Sequence, residues 1–203
     1  KTLKFFLFSD VHCDALACQH IVESARHADF AIGAGDFGLF RKGVKKTIDA
    51  LSAIGVPTIV VPGNHESHAE LLEACDGLGH FHVLHGGSVR INGVMFHGLG
   101  GGVPLTPFGP WSVDHREDEA AALLPSGYDD LVLVTHSPPF GCLDALSDGK
   151  HVGSHAVRSC VGEKRPRFVV CGHIHEHAGK QGEVDGVPVI NAGPRGVAFE
   201  YPG

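Results

Sequence analysis

Five short apolar runs each break into small or turn-forming residues, followed by side chains able to bind metal or move protons. Residues 3–8 lead into Asp10 and His12, residues 30–32 into Asp36, and residues 58–61 into Asn64 and His65. Residues 131–134 lead into His136, and residues 168–170 into His173 and His175. Together these are two carboxylates, one amide and five imidazoles. That is too many donors for one tetrahedral zinc. It suits two divalent cations about 3.5–4 Å apart that share a bridging carboxylate. The Asp10-x-His12 and His173-x-His175 spacings fit extended segments, where i and i+2 project to the same side. Asn64 and His65 are neighbours, so a shared target requires a sharp bend, which Gly63 permits. One buried His or Asp is commonly satisfied by hydrogen bonds alone, but five strand ends carrying such residues seldom arise from packing. Two buried carboxylates also need a counter-charge, and metal ions supply it.

The elements that must position these residues are legible around them. Near-continuous apolar runs are the pattern of strands covered on both faces. Amphipathic helical stretches fall between them at residues 15–28, 44–54 and 69–78. Alternation of strand and helix predicts parallel pairing in the first third of the chain. In open α/β sheets, sites form beyond the carboxyl ends of the strands, where all five polar clusters lie. Two hairpins modify the pattern. Asn92-Gly93 joins residues 88–91 to 94–97, and Asp185-Gly186 joins 182–184 to 187–190. Mixed sheets are therefore expected. The acidic run at 114–119 reads as the charged first turn of another helix.

With 203 residues, 43% hydrophobic and 19% charged, the chain can bury a sizeable core and is read as one domain over residues 1–203. A net charge of −7 disfavours nucleic acid and anionic bilayers as partners unless a local cationic site intervenes. No apolar run approaches the roughly 18 residues of a membrane helix. The basic, apolar start reads as the first strand and is too short for a signal-peptide core. Six cysteines without a CxxC pair read as free thiols in a reducing cytosol, hence a cytoplasmic location. A Cys-x5-Arg phosphatase nucleophile is excluded, because Pro166 stands where Cys160 would need its arginine. Gly33, Gly35 and Gly38 fit the GxGxxG pattern of dinucleotide binding. Asp36 within that loop would repel a pyrophosphate, and the next strand ends in Pro62-Gly63-Asn64 rather than an acidic residue.

Taken in order, Asp10-Val-His12, Gly35-Asp36, Gly63-Asn64-His65-Glu66, His136 and Gly172-His173-Ile-His175 resemble the signature of the calcineurin-like metallophosphoesterases. The likeness runs from residue 3 to about residue 193, and the stretches around His136 and His173–Glu176 also resemble a small single-domain bacterial and archaeal subgroup. It implies an α/β four-layer sandwich, two mixed β-sheets flanked by α-helices. It also implies that Asp10, His12, Asp36 and His175 hold one metal, and that Asp36, Asn64, His136 and His173 hold the other. His65 would be catalytic rather than a ligand, giving a proton or hydrogen bond to the phosphate or leaving oxygen. The nucleophile would be a bridging hydroxide, and the substrate a small phosphate ester: a diester, such as a cyclic nucleotide, or a monoester. Mixed N/O donors suit Mn, Fe or Zn about equally. One departure from the family pattern is Phe37-Gly38-Leu39, where many relatives carry a further acidic residue.

Three residues outside the signature are substrate-contact candidates: Trp111, in the long irregular segment 98–115 that also carries Phe108; His151, in the segment 141–154; and Arg195. The alternative function is a non-catalytic scaffold of the same fold. The complete ligand set argues against it. A nuclease would need a basic groove, and 41–46 and 164–167 read as solvated turns.

Overall fold

A computed structural model describes residues 2–127 and 130–202. The first sheet has the order β11-β1-β2-β3-β4. Here β1 (Thr2–Phe8), β2 (Phe30–Gly33), β3 (Thr58–Val60) and β4 (Phe81–Val83) run parallel, and β11 (Val197–Pro202) is antiparallel to β1. The second sheet has the order β5-β6-β7-β8-β10-β9. In it, β6 (Val94–Leu99), β7 (Leu131–Thr135), β8 (Phe168–Cys171) and β10 (Val187–Asn191) are parallel. The two outer strands, β5 (Gly87–Ile91) and β9 (Gln181–Val184), pair antiparallel through the expected hairpins. Both turns use left-handed pairs, with Asn92 at φ 49°, Gly93 at 86°, Asp185 at 51° and Gly186 at 81°.

Alternation along each strand decides the layers. Phe5, Leu7, Phe30, Ile32, Ile59 and Val61 face Phe96, Val132, Val134, Phe168, Val170 and Ile190 between the sheets. The opposite faces of β1–β3 present Phe6, Phe8, Ala31 and Val60 to α1 (Ala15–Ala25), α2 (Val44–Leu51) and α3 (His68–Ala74). Leu133, Val169, Cys171 and Val189 of the second sheet pack on α4 (Glu117–Leu123) and α5 (His155–Lys164). The result is the anticipated four-layer sandwich, helices outside and two mixed sheets inside. Among the described residues, no helix is long and apolar enough to cross a membrane.

Several boundaries differ from the sequence reading. The α1 helix stops at Ala25 and α2 at Leu51, because turns 26–28 and 52–54 continue the apolar spacing without helical hydrogen bonding. Ile54 stays buried outside the helix. Strands β4 and β11 and helix α5 had no sequence expectation. β4 has three residues, and the buried residues of α5 are only Val157, Cys160 and Val161. The acidic run is split: Glu117, Asp118 and Glu119 form the first turn of α4 as expected, but Asp114 lies before the helix and accepts instead from Thr106 and Ser112. Glu117 also reaches across to accept from the main-chain N–H groups of His155 and Ala156, which closes the start of α5. All six cysteines are free, five buried and Cys13 exposed.

Candidate metal centre

The loops leaving β1, β2, β3, β7 and β8 converge at the carboxyl edges of both sheets. Main-chain bonds knit them together. Asp10 N–H donates to Gly35 O (2.9 Å), His12 N–H to Asp36 O (3.0 Å), and Gly172 N–H to His136 O (3.0 Å). The extended geometry expected for the Asp-x-His and His-x-His pairs is not what brings them together. Asp10 (φ 55°), His12 (46°), Asp36 (59°) and His173 (67°) all sit in the left-handed region. Asp and His tolerate that region better than bulky or β-branched residues do.

Gly63 also acts differently from the expectation. Its φ is not left-handed. It must lack a side chain because a Cβ there would lie 1.9 Å from Asp36 Oδ1 and 2.3 Å from Asp36 N.

The donor atoms crowd around the buried Asp36 carboxylate. Asp36 Oδ1 is 3.4 Å from His136 Nε2, and Oδ2 is 3.6 Å from His12 Nε2 and 3.9 Å from His65 Nε2. Asn64 Oδ1 is 3.1 Å from His136 Nε2. On the other side, His175 Nε2 is 3.5 Å from Asp10 Oδ1 and 3.4 Å from His12 Nε2. Asp10 is held by the Ser9 hydroxyl and by His173 N–H, 3.1 and 3.2 Å from its two oxygens. Three overlapping groups have one ligand atom per residue within 4.8 Å of one another: Asp10-His12-His175, His12-Asp36-His65 and Asp10-Asp36-His136. His173 belongs to none of these three groups. Its ring stacks edge-on at 4.9 Å from the His136 ring.

Hydrogen bonds on the far ring nitrogens sort the histidines into two kinds. His136 Nδ1 faces Ala34 O at 2.7 Å, and His12 Nδ1 faces Gly38 O at 3.0 Å. A carbonyl only accepts, so both rings carry a proton on Nδ1 and, when neutral, aim an Nε2 lone pair at the cluster. His65 is reversed. Its Nδ1 accepts from Phe40 N–H at 2.9 Å, which leaves the proton on Nε2. His65 thus offers a donor where His12 and His136 offer lone pairs.

The electrostatics call for positive charge. Among the described residues, the ion-pair partners of Asp10 and Asp36 are all histidines. Burial by itself would raise Asp36, but His136, then His65 and His12, hold it well below the usual carboxylate range. Burial likewise opposes Asp10, and His175 and His136 hold it low. Burial opposes charge on His136, yet Asp36 pulls it up to about 10. Without a metal, the charge facing Asp36 is therefore a proton on His136. The lone pairs and carboxylate oxygens fit divalent cations in its place, since Nε2 of His12 and His136 then face a cation instead of other acceptors.

Glu66 is a part of the site that sequence reasoning left without a role. It is fully buried, and its Oε1 accepts from the N–H groups of Gly63 (2.7 Å), Asp36 (2.8 Å) and Phe37 (3.3 Å). Its Oε2 accepts from Gly38 N–H at 2.9 Å. One carboxylate thus ties the Asp36 loop to the Asn64-His65 loop. Burial and then Asp36 push Glu66 up to about 7, and the main-chain donors oppose that rise. The signal was its place directly after Asn64-His65. Asn191 does similar work, donating to Gly172 O and Ile174 O on the loop of His173 and His175.

The weaker substrate-contact candidates separate. The Trp111 ring lies 4.5 Å from the His65 ring, at the edge of the cluster. His151 pairs instead with the buried Asp144, to which its Nδ1–H donates at 2.6 Å. Arg195 is exposed in a groove with Leu16 and His20, residues outside the donor set.

The family model described as a calcineurin-like phosphoesterase superfamily domain matches residues 3–201. An uncharacterised protein of Methanocaldococcus jannaschii is 30% identical over 160 residues, which span 73% of this chain and 70% of that one. Among solved structures, a protein of Thermus thermophilus superposes with a TM-score of 0.76 at 17% identity, covering 95% of this chain and 90% of the other. A dimetal phosphatase from Danio rerio superposes with a TM-score of 0.62 at 16% identity, covering 93% and 86%.

Proposed function

The chain belongs to the calcineurin-like phosphoesterase superfamily, and from that premise we propose that it is a hydrolase of small phosphate esters, with diesters preferred, that works with two divalent cations. One observation carries the reading. Two sets of potential ligand atoms meet at the Asp36 carboxylate: Asn64 Oδ1 and His136 Nε2 gather beside its Oδ1, and His12 Nε2 lies beside its Oδ2 with His175 Nε2 3.4 Å beyond. Asp10, His12, Asp36 and His175 would hold one ion. Asp36, Asn64, His136 and His173 would hold the other, with Asp36 common to both. Manganese, iron or zinc would each suit these donors. Such ions, when bound, acidify water and neutralise charge on a phosphoryl group.

The protein's own residues supply the rest. Glu66 and the Gly63 gap fix the Asp36 carboxylate in place, so the charge that binds the cations needs no reorganisation. His65, with its proton on Nε2 and its ring lowered in pKa by burial, donates a hydrogen bond to a phosphoryl or leaving oxygen as a neutral imidazole. Phe40 N–H at Nδ1 disfavours the imidazolium form, so that bond stabilises developing negative charge without a full proton transfer. The core shared by the two sheets supports reading residues 1–203 as one domain.

The test is hydrolysis of bis(p-nitrophenyl) phosphate by protein loaded in turn with Mn²⁺, Fe²⁺, Zn²⁺ or Co²⁺. Turnover that EDTA abolishes and metal restores is expected. No turnover with any of the four favours the scaffold alternative.

A further inference from the structure

An aromatic wall adjoins His65, and none of the chemistry above uses it. Phe40 and Trp111 both pack on the His65 ring, at centroid distances of 5.2 and 4.5 Å, and meet each other edge to face at 4.7 Å. Phe108 continues the wall outward, stacked on Trp111 at 5.7 Å with 16° between the ring planes. Phe40 and Phe108 are among the exposed large hydrophobic residues of the molecule, at 53% and 51%. Burial in the core therefore does not explain them.

Both halves of the wall are fastened to the Asn64-His65 dipeptide. Phe40 (φ 49°) and Arg41 (φ 66°) are consecutive left-handed residues, a conformation that a bulky side chain seldom adopts. They are held there by Phe40 N–H to His65 Nδ1, by Arg41 N–H to His65 O (2.9 Å), and by a two-pronged Arg41–Glu70 pair (2.8 and 3.0 Å). The Trp111 segment is tied by Asn64 Nδ2 donating to Ser112 Oγ and by Val113 N–H donating to Asn64 O, both at 2.9 Å. A strained loop and a long irregular loop thus converge to present aromatic faces beside the residue expected to face the ester oxygen.

We propose that Phe40, Trp111 and Phe108 form a stacking subsite for a planar aromatic ring carried on the substrate's alcohol. This rests on the phosphoesterase reading for the position of the phosphate. A ring joined directly to the ester oxygen reaches Phe40 and Trp111, next to His65. A heteroaromatic base carried on a sugar reaches Phe108, farther out. Stacking tolerates many rings, because each has a π face, so the subsite selects for planarity rather than for one hydrogen-bonding pattern.

Metal-loaded protein is titrated calorimetrically with adenosine 5′-monophosphate, phenyl phosphate and ribose 5-phosphate. Trp111, the sole tryptophan of the sequence, reports ring contact through its fluorescence. The expected result is that at least one ring-bearing phosphate binds about ten-fold or more tightly than ribose 5-phosphate and quenches Trp111 saturably. Phe108→Ala, at the ring stacked on Trp111 farther from His65, is expected to erase the advantage of the adenine ring with ribose 5-phosphate affinity unchanged, and Phe40→Ala to weaken phenyl phosphate more than ribose 5-phosphate. Tighter binding of the adenosine ester assigns a nucleobase, and tighter binding of phenyl phosphate assigns an aryl ester. Equal affinities for all three, no measurable binding of either ring-bearing ester, or a parallel loss for ring-bearing and ringless ligands in the variants overturns the proposal. Hydrolysis of bis(p-nitrophenyl) phosphate is followed separately. Loss of hydrolysis with the ring preference intact sinks the phosphoesterase reading alone, and hydrolysis without ring preference sinks the subsite alone.

Discussion

Adding one methyl group at Gly63 is the sharpest perturbation of the Asp36 position that leaves every donor atom in the sequence. An alanine Cβ would lie 1.9 Å from Asp36 Oδ1, 2.3 Å from its N and 2.7 Å from its Cγ. An ordinary carbon–oxygen contact is longer than about 3 Å, so Oδ1 must retreat by more than about 1 Å or the main chain must part. Neither move is easy. Asp36 N–H is held by Glu66 Oε1 at 2.8 Å, and Asp36 Oδ1 accepts from His65 N–H at 2.9 Å. Overpacking of this kind costs about 1–3 kcal/mol. For a chain of this size that is a Tm lower by roughly 2–12 °C. A displacement of about 1 Å at the shared carboxylate costs on the order of 10²-fold in turnover.

The matched control is Gly55→Ala, at an exposed glycine with nothing within 4 Å of the new Cβ. Differential scanning calorimetry of the metal-loaded variants gives the stability change. Metal content after gel filtration and bis(p-nitrophenyl) phosphate turnover give the functional change. Gly63→Ala should lose on all three and Gly55→Ala on none. A Gly63→Ala protein indistinguishable from Gly55→Ala would show that the position of the carboxylate is not what the loop is built to hold.

Four further outcomes follow from the same geometry. His65→Ala should keep both metals by elemental analysis and lose roughly 10²–10³-fold in turnover, the usual cost of removing one preorganised donor; a collapse in metal content would make His65 a ligand. Asp36→Asn should lose both ions together, so full occupancy at either position by inductively coupled plasma measurement contradicts the shared role. Glu66→Ala strands four buried main-chain donors, and at about 1–3 kcal/mol for a stranded donor, short of additivity, urea unfolding should show a loss of about 3 kcal/mol or more; a change below about 1 kcal/mol removes Glu66 from the loop anchor. The fourth concerns acid stability. Burial, with His115 and His68 beside it, depresses His85 to about 4 from 6.5, and its Nδ1 accepts from Gly100 N–H. The unfolded chain therefore takes up that proton first, so stability falls as pH drops from 6.5 to about 4 and levels below. In denaturant midpoints across that window, His85→Gln should flatten the fall, and an unchanged slope would contradict this.

What could be read in the sequence followed from a simple contrast. Polar, metal-competent residues directly after apolar runs stand out, because buried strands otherwise exclude them. That contrast located the donor residues that the loops bring together, and the alternation of strand and helix gave the parallel pairing of β1–β3. It did not reveal how the loops turn. Asp10, His12, Asp36 and His173 curl through left-handed backbone, which depends on bonds such as Asp10 N–H to Gly35 O, between residues far apart in sequence. The opposite tautomers of His65 and His136 were likewise hidden, since Phe40 N–H and Ala34 O, which decide them, are distant in sequence from both rings. The β11 strand escaped notice because its alternating residues gain meaning only beside β1, with Phe199 opposite Phe5. Trp111 stood out by its place in a long loop, but its contact with His65 and its pairing with Phe40 are products of the fold.

Diffraction from Mn²⁺-loaded crystals, measured on both sides of the manganese absorption edge, shows whether two cations share Asp36. Two anomalous peaks about 3.5–4 Å apart should flank the Asp36 carboxylate, one beside His12 and His175 and the other beside Asn64 and His136. A single peak, or none at saturating manganese, contradicts that sharing.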